Sequence, residues 1–177
     1  MLQGNNHIEL VSVQDLDADA KTVNVLPLVS DVRSDGSKIN NIPVNGIPFW
    51  RLQMGSSAII INPKVGDIGL MLVCDSDITN VKSSKVESLP GSGRMFNLKD
   101  GIYLGGVALL NGEPSEYIEF TGSGINIVAP NGVNIDGAVT TTGTITASGE
   151  VTGNGIKLSS HVHGGVESGG SNTAKPQ

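Results

Sequence analysis

Gly137-Ala138-Val139-Thr140-Thr141-Thr142, Gly143-Thr144-Ile145-Thr146-Ala147-Ser148 and Gly149-Glu150-Val151-Thr152-Gly153-Asn154 form a repeat that places glycine at 137, 143, 149 and 155. A β-branched apolar residue recurs at 139, 145 and 151, and the same six-residue register reaches back to Val133 and Ile127. Threonine follows at 140, 146 and 152. A flexible Gly/Thr linker has no reason to keep an apolar register, so the spacing marks a solenoid-like β architecture.

One chain cannot complete that architecture by itself. Three hexads make only about one coil of a β-helix, where at least ~3 repeats are usually needed. A single narrow row of Val and Ile per chain also lacks the mass for a core. Three chains wound together remove the difficulty. Each contributes one apolar row to a common axis, the Thr, Ser and Asn side chains face water, and glycine permits the corners. Few strand edges then stay open. The expected shaft, an intertwined trimeric β-helix, covers residues 112–160.

Beyond the shaft lie His161-Val162-His163-Gly164-Gly165, Glu167-Ser168-Gly169-Gly170-Ser171-Asn172-Thr173 and Lys175-Pro176-Gln177. The alternation of Ile156 and Leu158 reads as a strand running into His161 and His163, whose side chains would leave one face. Two imidazoles from one chain are too few for a closed metal site. Two from each of three chains give an octahedral set suited to iron, with nickel or cobalt possible and four-coordinate zinc less suited. Residues 161–177 are therefore expected to form a metal-binding apex. His7, the third histidine, reads as ordinary surface.

Before the shaft the composition changes. Of the 24 glycines, 8 lie in residues 1–100 and 16 in residues 101–177. Residues 7–16 and 21–30 alternate apolar and polar side chains around a turn at Asp17-Ala18-Asp19-Ala20. The Pro-punctuated Ile42-Pro43-Val44-Asn45-Gly46-Ile47-Pro48-Phe49-Trp50 reads as irregular or as an edge. Strands follow at 58–61 and 68–74, separated by the turn Asn62-Pro63-Lys64-Val65-Gly66-Asp67. Short strands at this spacing suit a small Greek-key barrel of the OB type over residues 1–85. Phe49, Trp50 and Met54 are expected as core or interface plugs. Residues 86–111 read as a connector. Asp75-Ser76-Asp77 is placed to cap a short helix, and Ser88-Leu89-Pro90-Gly91-Ser92-Gly93 to stop one. Asp100-Gly101 and Asn111-Gly112 read as tight-turn pairs.

Bulk properties exclude several functions. The net charge of −6 argues against a nucleic-acid surface, which needs a basic stripe. No apolar run approaches the ~18 residues of a membrane span. The first residues lack the basic and apolar regions of a signal peptide, so the expected product is soluble and made in a bacterial host cytoplasm. Cys74, the single cysteine, sits in an apolar run and reads as a structural thiol.

The OB-like segment with Pro63-Lys64-Val65-Gly66-Asp67, the Gly/Thr-rich stretch from Ile125 to Leu158, and the His161-Val162-His163-Gly164 tail together resemble a known family. It comprises the central spike proteins of contractile phage tails and the needle tips of related injection systems. The resemblance implies a homotrimer in the virion, at the tip of the tail baseplate. It implies an iron ion held by His161 and His163 of each chain, and a segment from Gly164 to Lys175 that folds back to shape the apex. It also implies OB domains joined to the tail hub and tube, and a spike driven through the host outer membrane as the sheath contracts. No catalysis is required. Two other functions were weighed. A β-helical or lysozyme-like enzyme would need paired carboxylates in a cleft, and Glu113, Glu116 and Glu119 read instead as a solvated face. A receptor-binding fibre usually ends in an aromatic-bearing head, whereas no aromatic follows Phe120.

Overall fold

The computed structural model describes residues 8–162 of the chain. It is nearly all β, and its residues divide into two compact units, 1–130 and 131–177.

The first unit is built on five strands. β1 (Ile8–Asp17) and β2 (Thr22–Pro27) form an antiparallel hairpin, β3 (Val44–Pro48) adds to β2, and β4 (Leu52–Met54) pairs with β5 (Ser57–Ile59) as a separate ribbon. β6 (Ile68–Val73) returns beside β1, and α1 (Thr79–Ser84) follows it. β7 (Gly101–Gly106) then pairs with β6, which gives the order β3-β2-β1-β6-β7. The sheet curls until its edges meet. Phe49, just after β3, forms a parallel bridge to Tyr103 on β7, and the Trp50 N–H donates to the Tyr103 carbonyl at 2.7 Å.

Period-two alternation decides what the curl encloses. Val11 and Val13, Val23 and Val25, Val44 and Ile47, Met71 and Val73, and Tyr103 point inward and are buried. Leu16, Phe49 and Leu98 pack against them. Register shifts at Val13/Asp15 on β1, at Val23/Val25 on β2 and at Leu70/Met71 on β6 mark bulges, which bend a strand and increase its twist. Opposite the last of these, Gly105 takes a φ of +132°, a conformation that favours glycine. Gly69 faces it across the ladder. A Cβ there would run into the Gly105 carbonyl and the Tyr103 hydroxyl.

The hairpin at 7–30 and the strand at 68–74 are found where the sequence places them. Three details differ. The Pro-containing stretch is a strand, at the edge of the sheet where proline does least harm to the ladder. The stretch read as a connector supplies β7, the fifth strand of the sheet. Neither Asp100-Gly101 nor Asn111-Gly112 forms a hairpin turn. Asp100 ends a 3-10 turn, Leu98–Asp100, that leads into β7. Asn111 instead uses its side chain to tie down Ile68: its Oδ1 accepts from the Ile68 N–H at 2.9 Å and its Nδ2 donates to the Ile68 carbonyl at 2.7 Å.

An ion cluster holds the segment after β6 onto the sheet. Asp100 is fully buried and Asp77 nearly so. Arg94 reaches both, with its Nε and Nη2 on Asp100 and its Nη2 also 2.9 Å from Asp77. Asp77 Oδ1 accepts from the Thr79 N–H at the start of α1, the capping role expected of that segment. Cys74 is half-buried. Burial pushes its thiol pKa up, with the Asp100 charge adding to the effect.

After the sheet, β8 (Tyr117–Phe120) and β9 (Ile125–Val128) form a further two-stranded ribbon. Glu113, Glu116 and Glu119 are all exposed, as a solvated face would be. Within the second unit the hexad residues 137–150 carry no strand. Val133, Val139, Ile145 and Val151 are all exposed, because one chain supplies nothing to cover its own apolar row. No helix among the described residues is long and apolar enough to cross a membrane.

Candidate metal-binding apex

The last described element is a minimal hairpin. β10 (Thr152–Gly153) pairs with β11 (Ile156–Lys157), Thr152 opposite Lys157 and Gly153 opposite Ile156. The two-residue loop is Asn154-Gly155, with φ of +49° and +80°. Positive φ at both central residues belongs to the type I′ turn, whose twist matches that of the strands it joins, and Asn-Gly is its preferred pair. The hexad glycine at 155 is thus fixed by turn geometry as well as by the repeat.

The strand expected to run on into the histidines stops at Lys157. Residues 158–160 form a turn, braced from the preceding hexad. The Leu158 N–H donates to the Val151 carbonyl at 2.8 Å, and the Ser159 N–H donates to Glu150 at 3.2 Å. The Ser159 hydroxyl donates to the same carboxylate. These bonds hold the Glu150 carboxyl below its ordinary pKa, the Ser159 hydroxyl contributing most.

That turn presents His161, whose Nδ1 lies 2.8 Å from the Leu158 carbonyl oxygen. With the proton on Nδ1 the ring donates to that oxygen, and Nε2 carries the lone pair. Such a backbone carbonyl partner is the usual way a ligand histidine has its ring and tautomer set. His161 and its neighbour Val162 are exposed, and His161 borders a shallow groove with Ile156, Lys157 and Val162. The residue chemistry therefore fits a metal ligand at 161. His163, the segment Gly164 to Lys175, and His7 lie outside the described residues. Among the described residues of the one chain, no group of three His, Cys, Asp or Glu side chains gathers to hold a metal.

Residues 155–177 match the GpV Apex motif. This motif is the apex of GpV-type phage baseplate spikes, and the match agrees with the spike family that the sequence resembles. It points to a structural role at a spike tip and to a tail component associated with the virion. The apex match begins at Gly155, inside the Asn154-Gly155 turn, so the hairpin is the junction between repeat and apex. No curated protein matches the chain.

Sequence reasoning missed the Asn154-Gly155 hairpin although its signal was present, a turn pair between Thr152 and Ile156. The Glu150–Ser159 brace carries no local signal, because its partners are brought together only when the hairpin closes.

Proposed function

We propose that the protein is the central, membrane-piercing spike of a contractile phage tail or a related injection system, acting as a homotrimer without catalysis. The observation that carries this reading is the apex motif at 155–177 joined directly to a hexad whose apolar row lies bare in the single chain. Burying Val133, Val139, Ile145 and Val151 against two further copies gives the intertwined β-helix. The resulting shaft transmits compressive force because its backbone groups are paired between chains.

His161 and His163 of three chains would hold one iron ion at the tip. The metal would supply a cross-link where three chain ends would otherwise fray. Binding to the assembled trimer alone also stabilises the assembly by mass action.

The sheet fits an OB barrel. Counting only its five strands in chain order, they lie 3-2-1-4-5, with a parallel bridge between the outer two. This domain would seat the spike on the tail hub. Trp50 and Met54 support that role, since both are exposed beside Leu52, Ile59 and Ile61, while Phe49 packs on the core. The host outer membrane is then a mechanical partner, and nucleic acid is not one.

Elemental mass spectrometry beside light scattering tests the reading. About one iron per three chains is expected, and none in the variant carrying His161→Ala and His163→Ala. An equal metal content in that variant would remove the histidines from the site. A monomer would remove the shared core and the spike with it.

A further inference from the structure

The ribbon of β8 and β9 is amphipathic. Ile118 pairs with Ile127 and Phe120 with Ile125, and directly opposed residues share a face. Ile118, Phe120, Ile125 and Ile127 therefore lie on one side, and Tyr117, Glu119, Asn126 and Val128 on the other. The second side completes itself. Asn126 donates to Glu119 across the strands at 3.2 Å, and Val128 is half-buried. The first side is bare. Ile118 is 63% exposed, Phe120 77%, Ile125 58% and Ile127 59%. The ribbon pairs with no other strand among the described residues, and an isolated two-stranded ribbon is marginally stable in water.

We infer that the face formed by Ile118, Phe120, Ile125 and Ile127 packs against the same face of two further copies of this chain, so that the shared core begins at this ribbon and Phe120 plugs its upper end. The inference rests on the trimeric spike reading above and adds an interface to it. Two observations select copies of this chain over a foreign partner. Ile127 stands in the six-residue register of Val133, Val139, Ile145 and Val151, so the face continues the apolar row of the repeat. The face also carries no charge, and its one acidic neighbour, Glu119, lies on the far side. Three identical copies can therefore meet there without like-charge repulsion.

Cysteine cross-linking of the full chain tests it. Phe120→Cys and Glu119→Cys are each placed in a Cys74→Ser background and oxidised with copper–phenanthroline, with light scattering on the same samples. Phe120→Cys should give a covalent dimer band on a non-reducing gel, since a disulfide can join two of three converging chains. Glu119→Cys should remain a single-chain band. Ile127→Cys serves as a second probe of the same face should the Phe120 variant not fold. A trimer that forms no link at 120 or 127, or links as readily at 119, overturns the inference and leaves the trimer standing. A monomer by light scattering overturns both.

Discussion

Arg94 grips Asp100 with two hydrogen bonds, Nε to one carboxylate oxygen at 2.7 Å and Nη2 to the other at 2.9 Å. Asp100 is fully buried at the foot of β7, and it also accepts from the Ile78 N–H at 3.1 Å. The fork geometry of the guanidinium matches a carboxylate, which a lysine cannot reproduce. Arg94→Ala would leave a buried charge without its partner, a strongly destabilising change. It should lower the thermal midpoint more than any exposed substitution in the sheet, and Arg94→Lys should recover only part of the loss. Thermal unfolding by circular dichroism reads both variants. An Arg94→Ala midpoint equal to that of the parent would show that the cluster does not fasten the segment.

Asp77 gives the same region an acid limit. Hydrogen bonds from Thr79 and then Ser92, ahead of the Arg94 charge, hold its pKa at about 2, below the ordinary 3.8. A carboxylate whose pKa is depressed by folding stabilises the fold above its unfolded value and ceases to do so as pH falls through its folded value. The contribution is therefore complete above about pH 4 and disappears toward pH 2. Asp77→Asn should flatten the dependence of unfolding on pH across that window and leave it unchanged at neutral pH. A parallel acid limb in parent and variant would assign the dependence to other carboxylates.

The Tyr103 hydroxyl is buried with no hydrogen-bond partner. Burial first, and the Asp67 charge second, push its pKa up to about 12. The neutral phenol therefore favours the fold up to the ordinary value near 10, and the advantage is lost as pH rises toward 12. Titration followed by tyrosinate absorbance should show one late component, absent in Tyr103→Phe. Removing an unpaired buried hydroxyl should also be neutral or stabilising by about 1 kcal/mol in denaturant unfolding. A loss of that size would reveal a partner for the hydroxyl in the assembled protein.

Ile47 and Ile145 separate the two cores. Ile47 is fully buried within one chain, so Ile47→Ala should cost about 2–5 kcal/mol whatever the state of assembly. Ile145 is exposed in the single chain, so Ile145→Asn should leave the unfolding of the sheet unchanged and lower only the concentration-dependent stability of the oligomer. An Ile145→Asn trimer that dissociates no more readily than the parent would take that residue off the shared axis.

What the chain determines by itself is its local grammar. The alternation at Val11, Val13, Val23 and Val25 is enough to predict the first hairpin, because a strand must put every second side chain on the buried face. The hexad at 137–155 reveals a row that one chain cannot cover, and the histidine-bearing tail reveals the apex, because both are written in contiguous residues. Only the tertiary structure decides that β7 belongs to the sheet, that its far edge meets Phe49, and that Arg94 joins Asp77 to Asp100. Those relationships depend on how far the sheet curls, which is set by bulges and by the close approach of Gly69 to Gly105. The sequence at either partner alone does not encode that distance. The turn at 158–160 follows the same rule: Ile156 and Leu158 alternate like a strand, but the Asn154-Gly155 hairpin brings Glu150 to Ser159 and bends the chain before His161.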